Sequence, residues 1–519
     1  MRRVVTYGNL RRLPPGPSTP PFRHGVASGD PGPDGVLLWT RVTTDAGAPL
    51  PVRWTVSREP DLGEVVAEGE AAAAADHDFT VKVDVRGLQP STTYFYAFEA
   101  GAFESGSCRS PVGRTRTTPA GPTDGIRLGV VSCASWPHGF FNAYGHLAER
   151  DVDLVVHLGD YLYEDGTART GIGRAHQPAR TARTLADYRA RHAQYRTDPD
   201  LQRLHQQHPV VAVWDDHDIA GNAWRDGAVD HDPSAHGAWS ERRAAAVQAY
   251  LEWLPVRSPD PGRPERIHRT VRLGDLAELI VLDTRLVGRE RPARGGTRPV
   301  ATVLVRDRSL LGDEQRAWLH DELRRPTRWR LLANQVMMAP LRLVQLPRLL
   351  RWLPGLVAGG AGVNAGQWDG YPYERRRLFE QLRRDGLGNV VVLTGDLHSS
   401  WAAELTLAPD EPDEEPVGVE LVTPSVTSQS FAQALAPPVP GGRALLRRFI
   451  ASQNRHLRWF DLEGHGYVVV DVTPERVQAD WWHVDTVARR GGDERVVASW
   501  IVRAGEPHLV PAPGPLPPR

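Results

Sequence analysis

The rhythm of hydrophobic and polar positions changes near residue 124. Between residues 25 and 117 the apolar positions fall in short β-rich runs, at 36–40, 52–56 and 79–83, separated by Gly, Pro and Asp turns. This part reads as all-β. After Asp124, continuous apolar runs alternate with stretches of helical period. Strands are expected at 126–132, 154–158, 210–213, 279–282, 329–332 and 390–393, with helices such as 139–150, 312–324 and 374–384 between them. Uninterrupted apolar strands need cover on both faces, so the pattern predicts an α/β core. Two later β-like runs, 417–423 and 467–472, complete a mixed sheet. The chain thus divides into an extension (1–21), a β unit (22–117), a Thr-, Pro- and Gly-rich linker (118–125), a large α/β domain (126–505) and a Pro-rich tail (506–519), of which 511–519 is expected to be loop-like or frayed.

One segment of the β unit is more specific. Leu88 and Pro90 precede an alternating aromatic strand, Tyr94-Phe95-Tyr96-Ala97-Phe98, and this resembles the tyrosine corner of fibronectin type III and immunoglobulin-like sandwiches. Composition narrows the functional classes. With 62 basic and 63 acidic side chains the formal net charge is −1, which removes the electrostatic case for a nucleic-acid or anionic-membrane protein as a whole. Lys82 is the single lysine; such a bias follows codon usage, so an arginine carries little functional information by itself. Two cysteines, Cys108 and Cys133, cannot make a disulfide framework or a CxxC zinc site. The most apolar stretch, 341–363, is interrupted by Arg342, Arg348 and Arg351 and is too broken for a membrane span. Arg2-Arg3 opens the chain, but residues 6–21 are polar and proline-rich, so no signal peptide is visible.

The chemistry-bearing residues follow the apolar strands. Ser132-Cys133 follows the first, Gly159-Asp160-Tyr161-Leu162-Tyr163-Glu164 the second and Trp214-Asp215-Asp216-His217-Asp218 the third; Asn334-Gln335 and Gly395-Asp396-Leu397-His398 follow two later ones. Open α/β sheets gather ligands at such strand ends. Cys133 thiolate, Tyr163 phenolate, His398 imidazole and Asp160 carboxylate form an anionic set suited to a transition metal, and phenolate with thiolate favours ferric iron. Asp160, Asp216 and Asp396, with an amide oxygen from Asn334 or Gln335, form an oxygen-rich set suited to a hard cation such as calcium. Asp160 is the natural bridge between them. Two cations about 4 Å apart suit phosphoryl chemistry.

The series Gly159-Asp160-x-x-Tyr163, Asp216-His217-Asp218 and Gly395-Asp396-x-His398 resembles the ordered motifs of calcineurin-like metallophosphoesterases, and its tyrosine resembles the iron-binding tyrosine of purple acid phosphatases. The chain is more similar still to the PhoD-like alkaline phosphatase/phosphodiesterase family. The marks are 25–31 (GVASGDP), 37–41 (LLWTR), Ser132-Cys133, 214–218, Leu282-Asp283-Thr284-Arg285, 368–372 (WDGYP) and 395–398, in family order across residues 22–482. The resemblance implies a core of two mixed sheets flanked by helices (α/β/β/α), an iron–calcium pair bridged by Asp160, and hydrolysis of phosphate mono- or diesters. It also places His217 to contact the phosphate or protonate the leaving oxygen. Arg285 is expected to meet phosphate or to pair with Asp283, while Asn222 and the loop carrying Asp369 and Tyr371 are expected to shape the pocket rim. Phospholipase-type diester hydrolysis is the alternative activity; an inactive binding protein requires lost ligands, and the principal ones are present. The family is typically exported by the twin-arginine route, whereas this chain as written reads as cytoplasmic.

Overall fold

The computed structural model describes residue 13 and residues 20–45, 47–101, 108–166, 171–293, 297–299, 306–342, 362–409, 411, 414–435 and 441–519. Two mixed β-sheets form its centre. The first has ten strands in the order Glu506–Pro511, Glu494–Arg503, Arg476–Val484, Gly466–Val472, Ile126–Val131, Leu154–His157, Pro209–Ala212, Val26–Gly29, Gly35–Arg41, Thr80–Arg86. The second has seven, in the order Arg269–Leu273, Ala277–Val281, Trp329–Asn334, Val390–Thr394, Gly418–Val422, Ser400–Leu405, Leu457–Asp461. The middle strands of each are parallel, with Val156 opposite both Val130 and Val211 in the first and Leu332 opposite Ile280 and Val392 in the second.

A two-residue period builds the layers. Leu279, Val281, Leu331, Ala333, Val391 and Leu393 join one apolar core with Leu128 and Val130 of the first sheet, while Ile280, Leu282, Leu332, Val390 and Val392 join another. That second core holds Leu319 and Leu323 of the helix Gly312–Leu323 and Leu378, Phe379 and Leu382 of Pro372–Arg384. Helices Asn142–Ala148, Pro199–Gln207 and Trp239–Trp253 cover the first sheet with Leu147, Leu201, Leu204, Val247 and Tyr250. Each helix replaces lost hydration of a strand face with apolar contact, at about 25 cal/mol per Å² buried. Among the described residues, no helix is long and apolar enough to cross a membrane.

Three features depart from the sequence pattern. The β unit keeps an apolar core of its own, with Val36, Leu38, Val52 and Tyr96, yet three of its strands also continue the ten-stranded sheet, Val26–Gly29 pairing parallel with Pro209–Ala212 through Ser28–Pro209 and Gly29–Val210. Its other strands, Val65–Ala73, Leu50–Ser57, Thr93–Ala100, Cys108–Arg109 and Gly113–Arg116, make a separate antiparallel sheet. The expected linker is docked, Thr123 N donating to Asp275 Oδ1 at 3.0 Å. The tail's last residues, 512–519, lie in no helix or strand, as expected, but they are tied down and not frayed. Glu506–Pro511 is an edge strand, Leu516 N donates to Asp480, and Arg519 pairs with Asp153 at 2.8 Å and Asp471 at 3.2 Å. Alternation in Glu506–Pro511 is masked by prolines, and the salt bridges are long-range, so no local pattern shows them.

Candidate metal centre

The strand ends converge on one cleft through backbone conformations that few side chains adopt. Cys133, Asp160, Asn222, Asp396 and His398 all have φ between +51° and +62°. Each such non-glycine residue costs about 1–2 kcal/mol, strain that the surrounding fold over-determines. The turn after Leu154–His157 needs glycine outright: a Cβ on Gly159, at φ +95°, lies 2.4 Å from Asp215 N. The following loop is braced by the helix Leu185–Tyr195, which starts with a Thr184–Asp187 capping box. Its buried Arg191 donates to the carbonyls of Tyr163, Asp165 and Pro178, and Tyr195 Oη accepts from Tyr163 N at 3.2 Å.

The sulfur–nitrogen side of the cleft brings Cys133, Asp160 and His398 ligand atoms within 4.8 Å of one another. Tyr163 Oη donates to Asp160 Oδ2 at 2.8 Å and lies 3.0 Å from His398 Nε2. His398 Nδ1 donates to the Gln429 carbonyl at 2.9 Å, which leaves Nε2 as the lone-pair nitrogen facing the cleft. Ser428 Oγ lies against Tyr163 Oη at 2.6 Å and the Cys133 carbonyl at 2.9 Å. Burial pushes the Cys133 thiol and the Tyr163 phenol well up, with the Asp160 charge adding to both. It lifts Asp160 to about 7 against the pull of His217. Cys133 and Tyr163 are thus held as neutral acids by their own surroundings, and a cation binding there releases protons as it binds.

The oxygen-rich side is built differently. Oxygens of Asp215, Asp216 and Asp396 lie within 4.8 Å of one another, as do ligand atoms of Asp160, Asp216 and His217. Arg285 is fully buried; it forks onto both oxygens of Asp215 and reaches Asp216 Oδ1 at 3.1 Å and Asp396 Oδ1 at 2.6 Å. Its main-chain N donates to Asp283 at 2.8 Å, so Asp283 shapes the turn and the guanidinium goes to Asp215. Burial works to raise Asp216, but Arg285, His217 and the Asn222 N–H hold it below the usual carboxylate range. Asp216 Oδ1 is buried with the Arg285 guanidinium 3.1 Å away but no aligned hydrogen bond, which leaves lone-pair density that a cation suits.

Four expected site residues lie elsewhere in the network. Gln335 Oε1 accepts from both Thr284 N and Thr284 Oγ1, at 2.9 and 2.6 Å, and its amide donates to Leu282 O, so neither lone pair of that oxygen is left for a metal. Asn334 donates to Val336 O and Thr394 and accepts from Trp368 Nε1 at 3.1 Å, fully buried under the cleft. Asp369 caps Leu341 N at 2.9 Å and pairs with Arg375 at 2.6 Å. Tyr371 Oη donates to Glu290 O at 2.7 Å. These side chains brace the loops and do not present free groups to the cleft. Asn222 is exposed, its N–H on Asp216. Asp218 Oδ2 receives Asp215 N at 2.9 Å and turns the loop.

Two residues had no motif to announce them. Glu164, buried, accepts from His217 Nδ1 at 2.8 Å and Gly221 N at 2.6 Å, while the His217 ring stacks 4.3 Å from the Tyr163 ring. Its position directly after the Tyr163 motif was the available signal. Gln367, buried, donates to Asp396 Oδ2; it directly precedes the 368–372 stretch, which was the available signal.

Residues 128–481 match the profile of the PhoD-like phosphatases, and residues 10–119 that of the PhoD-like phosphatase N-terminal domain. The chain belongs to the PhoD-like phosphatase family. It is 35% identical to alkaline phosphatase D of Bacillus subtilis (strain 168) over 513 residues, covering 95% of this chain and 82% of that protein. The solved structure of PhoD superposes with a TM-score of 0.85 at 33% identity, covering 97% of this chain and 94% of that one. A purple acid phosphatase from yellow lupin seeds shares the fold, with a TM-score of 0.53 at 12% identity over 92% of this chain and 74% of that one. As a PhoD-like phosphatase the chain is a metal-dependent phosphoric ester hydrolase with a metallophosphoesterase-like core.

Proposed function

We propose that this PhoD-like phosphatase uses ferric iron held by Cys133, Tyr163, Asp160 and His398, and calcium or another hard divalent cation held by Asp160, Asp216 and Asp396. The observation that carries this is the split of one cleft into a thiol–phenol–imidazole side and a carboxylate side that share Asp160. When bound, such a pair supplies an activated nucleophile and the positive charge that stabilises an in-line phosphoryl transition state. The chain's own groups do the rest. Asp160 spans the two sides: Oδ2 receives the Tyr163 hydroxyl and Oδ1 the His217 main-chain N–H at 3.1 Å.

His217 Nε2 has no partner among the described residues, and this is the atom that contacts phosphate or protonates the leaving oxygen. Burial alone would lower the His217 ring, but Glu164, Asp216 and Asp160 outweigh it and hold it well above its usual value. The ring is thereby kept as an acid. Asn222, at the exposed lip, offers its amide to substrate. We also read the N-terminal β unit as fibronectin type III-like, because Tyr94 Oη accepts from Gln89 N at 2.9 Å, five residues upstream.

Freshly purified protein is expected to carry stoichiometric iron by elemental analysis. It is also expected to hydrolyse p-nitrophenyl phosphate, bis-p-nitrophenyl phosphate or both when calcium is supplied. Zinc alone at full occupancy would overturn the iron assignment. Glu164→Gln keeps the shape of the His217 partner and removes its charge. It is expected to lower kcat about tenfold for p-nitrophenyl phosphate and more for an alkyl phosphate, whose poorer leaving oxygen needs the proton. Equal losses on both substrates would show that His217 is not the acid.

A further inference from the structure

Both oxygens of Asp396 are taken by side-chain donors: Oδ1 by Arg285 at 2.6 Å and Oδ2 by the Gln367 amide. We propose that Gln367 is the positioning residue that sets how tightly the carboxylate side of the cleft holds its cation, a role that rests on the two-sided reading above. The Gln367 amide cannot turn. Its Oε1 accepts from Met337 N at 2.5 Å, and a main-chain N–H fixes which end of the amide is oxygen, so Nε2 faces Asp396. The next two residues of that loop are clamped in turn, Met338 N and Ala339 N donating to the buried carboxylate of Glu420 at 2.7 and 2.6 Å. The main chain of Gln367 is tied as well, its N–H to Asn364 O at 3.1 Å and its carbonyl to Gly370 N at 2.9 Å. The donor to Asp396 is therefore held by two segments, 336–341 and 362–371, that contribute no ligand of their own.

The consequence for cation binding follows from the geometry of Arg285. A guanidinium prefers to fork onto both oxygens of a carboxylate, and Arg285 already does so with Asp215. Gln367 holds the second oxygen of Asp396 away from that fork. Asp396 thereby keeps an oxygen within 4.8 Å of the Asp216 carboxylate, whose Oδ1 is contacted by Arg285 but has no aligned hydrogen bond. Without Gln367, Asp396 swings onto Arg285 and withdraws from the cation.

The test is calcium titration of metal-stripped and iron-reloaded protein, read by calorimetry and by the calcium-induced rise in Tm. Gln367→Glu keeps an acceptor for Met337 N and lacks the donor to Asp396; Gln367→Met lacks both. Both are expected to bind calcium about 10–100-fold more weakly, with iron content unchanged. Glu420→Gln, which loosens the loop without touching Asp396, is expected to change calcium affinity far less than either. Unchanged or tighter calcium binding by Gln367→Glu would reduce Gln367 to a loop brace and overturn the proposal. So would an equal loss in Glu420→Gln. Wild-type protein that binds iron but neither calcium nor manganese would overturn the two-sided reading, and this role with it.

Discussion

Replacing Asp160 with asparagine is expected to cost at least about three orders of magnitude in phosphoester hydrolysis while leaving the protein folded. The substitution keeps the shape of the side chain and an oxygen for the His217 N–H, and it removes the one charge common to both sides of the cleft. An effect of this size follows if Asp160, as proposed, both holds the cations and organises the transition state. The same variant has an opposite effect on the metal-stripped protein. The folded-state pKa of Asp160, about 7, lies above its ordinary 3.8. Any stabilisation from the protonated acid is therefore complete below pH 3.8 and is lost as pH rises through 7. Across that window the wild type loses stability relative to Asp160→Asn, by about 1.4 kcal/mol per pH unit at most. Thermal melts in chelator from pH 4 to 8 are expected to show the two proteins converging at low pH and the variant ahead at high pH. Melting curves that run parallel would contradict the buried, proton-holding state of Asp160, and retained activity would remove it from the bridging position.

Arg285→Leu is expected to be the most damaging single change to the metal-free fold. The guanidinium is fully buried and serves three carboxylates at once, Asp215, Asp216 and Asp396. Breaking a buried pair by deleting one partner costs about 3–5 kcal/mol, because the remaining charge has no water and no partner. Urea denaturation at neutral pH measures it directly. Arg285→Leu combined with Asp215→Asn should recover part of the loss, since the carboxylate most completely dependent on the fork is then neutral. Arg285→Lys should remain well below wild type, because an ammonium cannot meet Asp215 with two parallel donors and Asp396 with a third. A loss under about 1 kcal/mol in Arg285→Leu would mean that the three carboxylates are neutral or otherwise paired in solution.

The strands and the cleft residues after them were legible because both are written locally. An apolar run followed at once by Cys133, Asp160, Asp216 or His398 needs no knowledge of the rest of the chain. The missing parts are those that depend on partners far away in sequence. Gln335 has the residue type for a calcium ligand, yet Thr284, 51 residues earlier, takes both lone pairs of its oxygen. Arg285 sits among so many arginines that its type said little, and its pairing with Asp215 spans 70 residues. Gln367 lies in no motif of its own; only the fold brings its amide to Asp396. The alternation that defined the β unit was real, but strand pattern does not say which sheet a strand joins. Val26–Gly29 found its partner at Pro209–Ala212.

That last pairing bears on how the chain can be divided. Pro209–Ala212 is buried at every position and hydrogen-bonded on both sides, by Leu154–His157 and by Val26–Gly29. A polypeptide begun after residue 118 would present it as a bare, apolar sheet edge, a template for pairing with another copy or for aggregation. The N-terminal β unit, with an apolar core of its own around Val36, Leu38, Val52, Tyr96 and Phe98, therefore serves as the cover of that edge of the catalytic sheet.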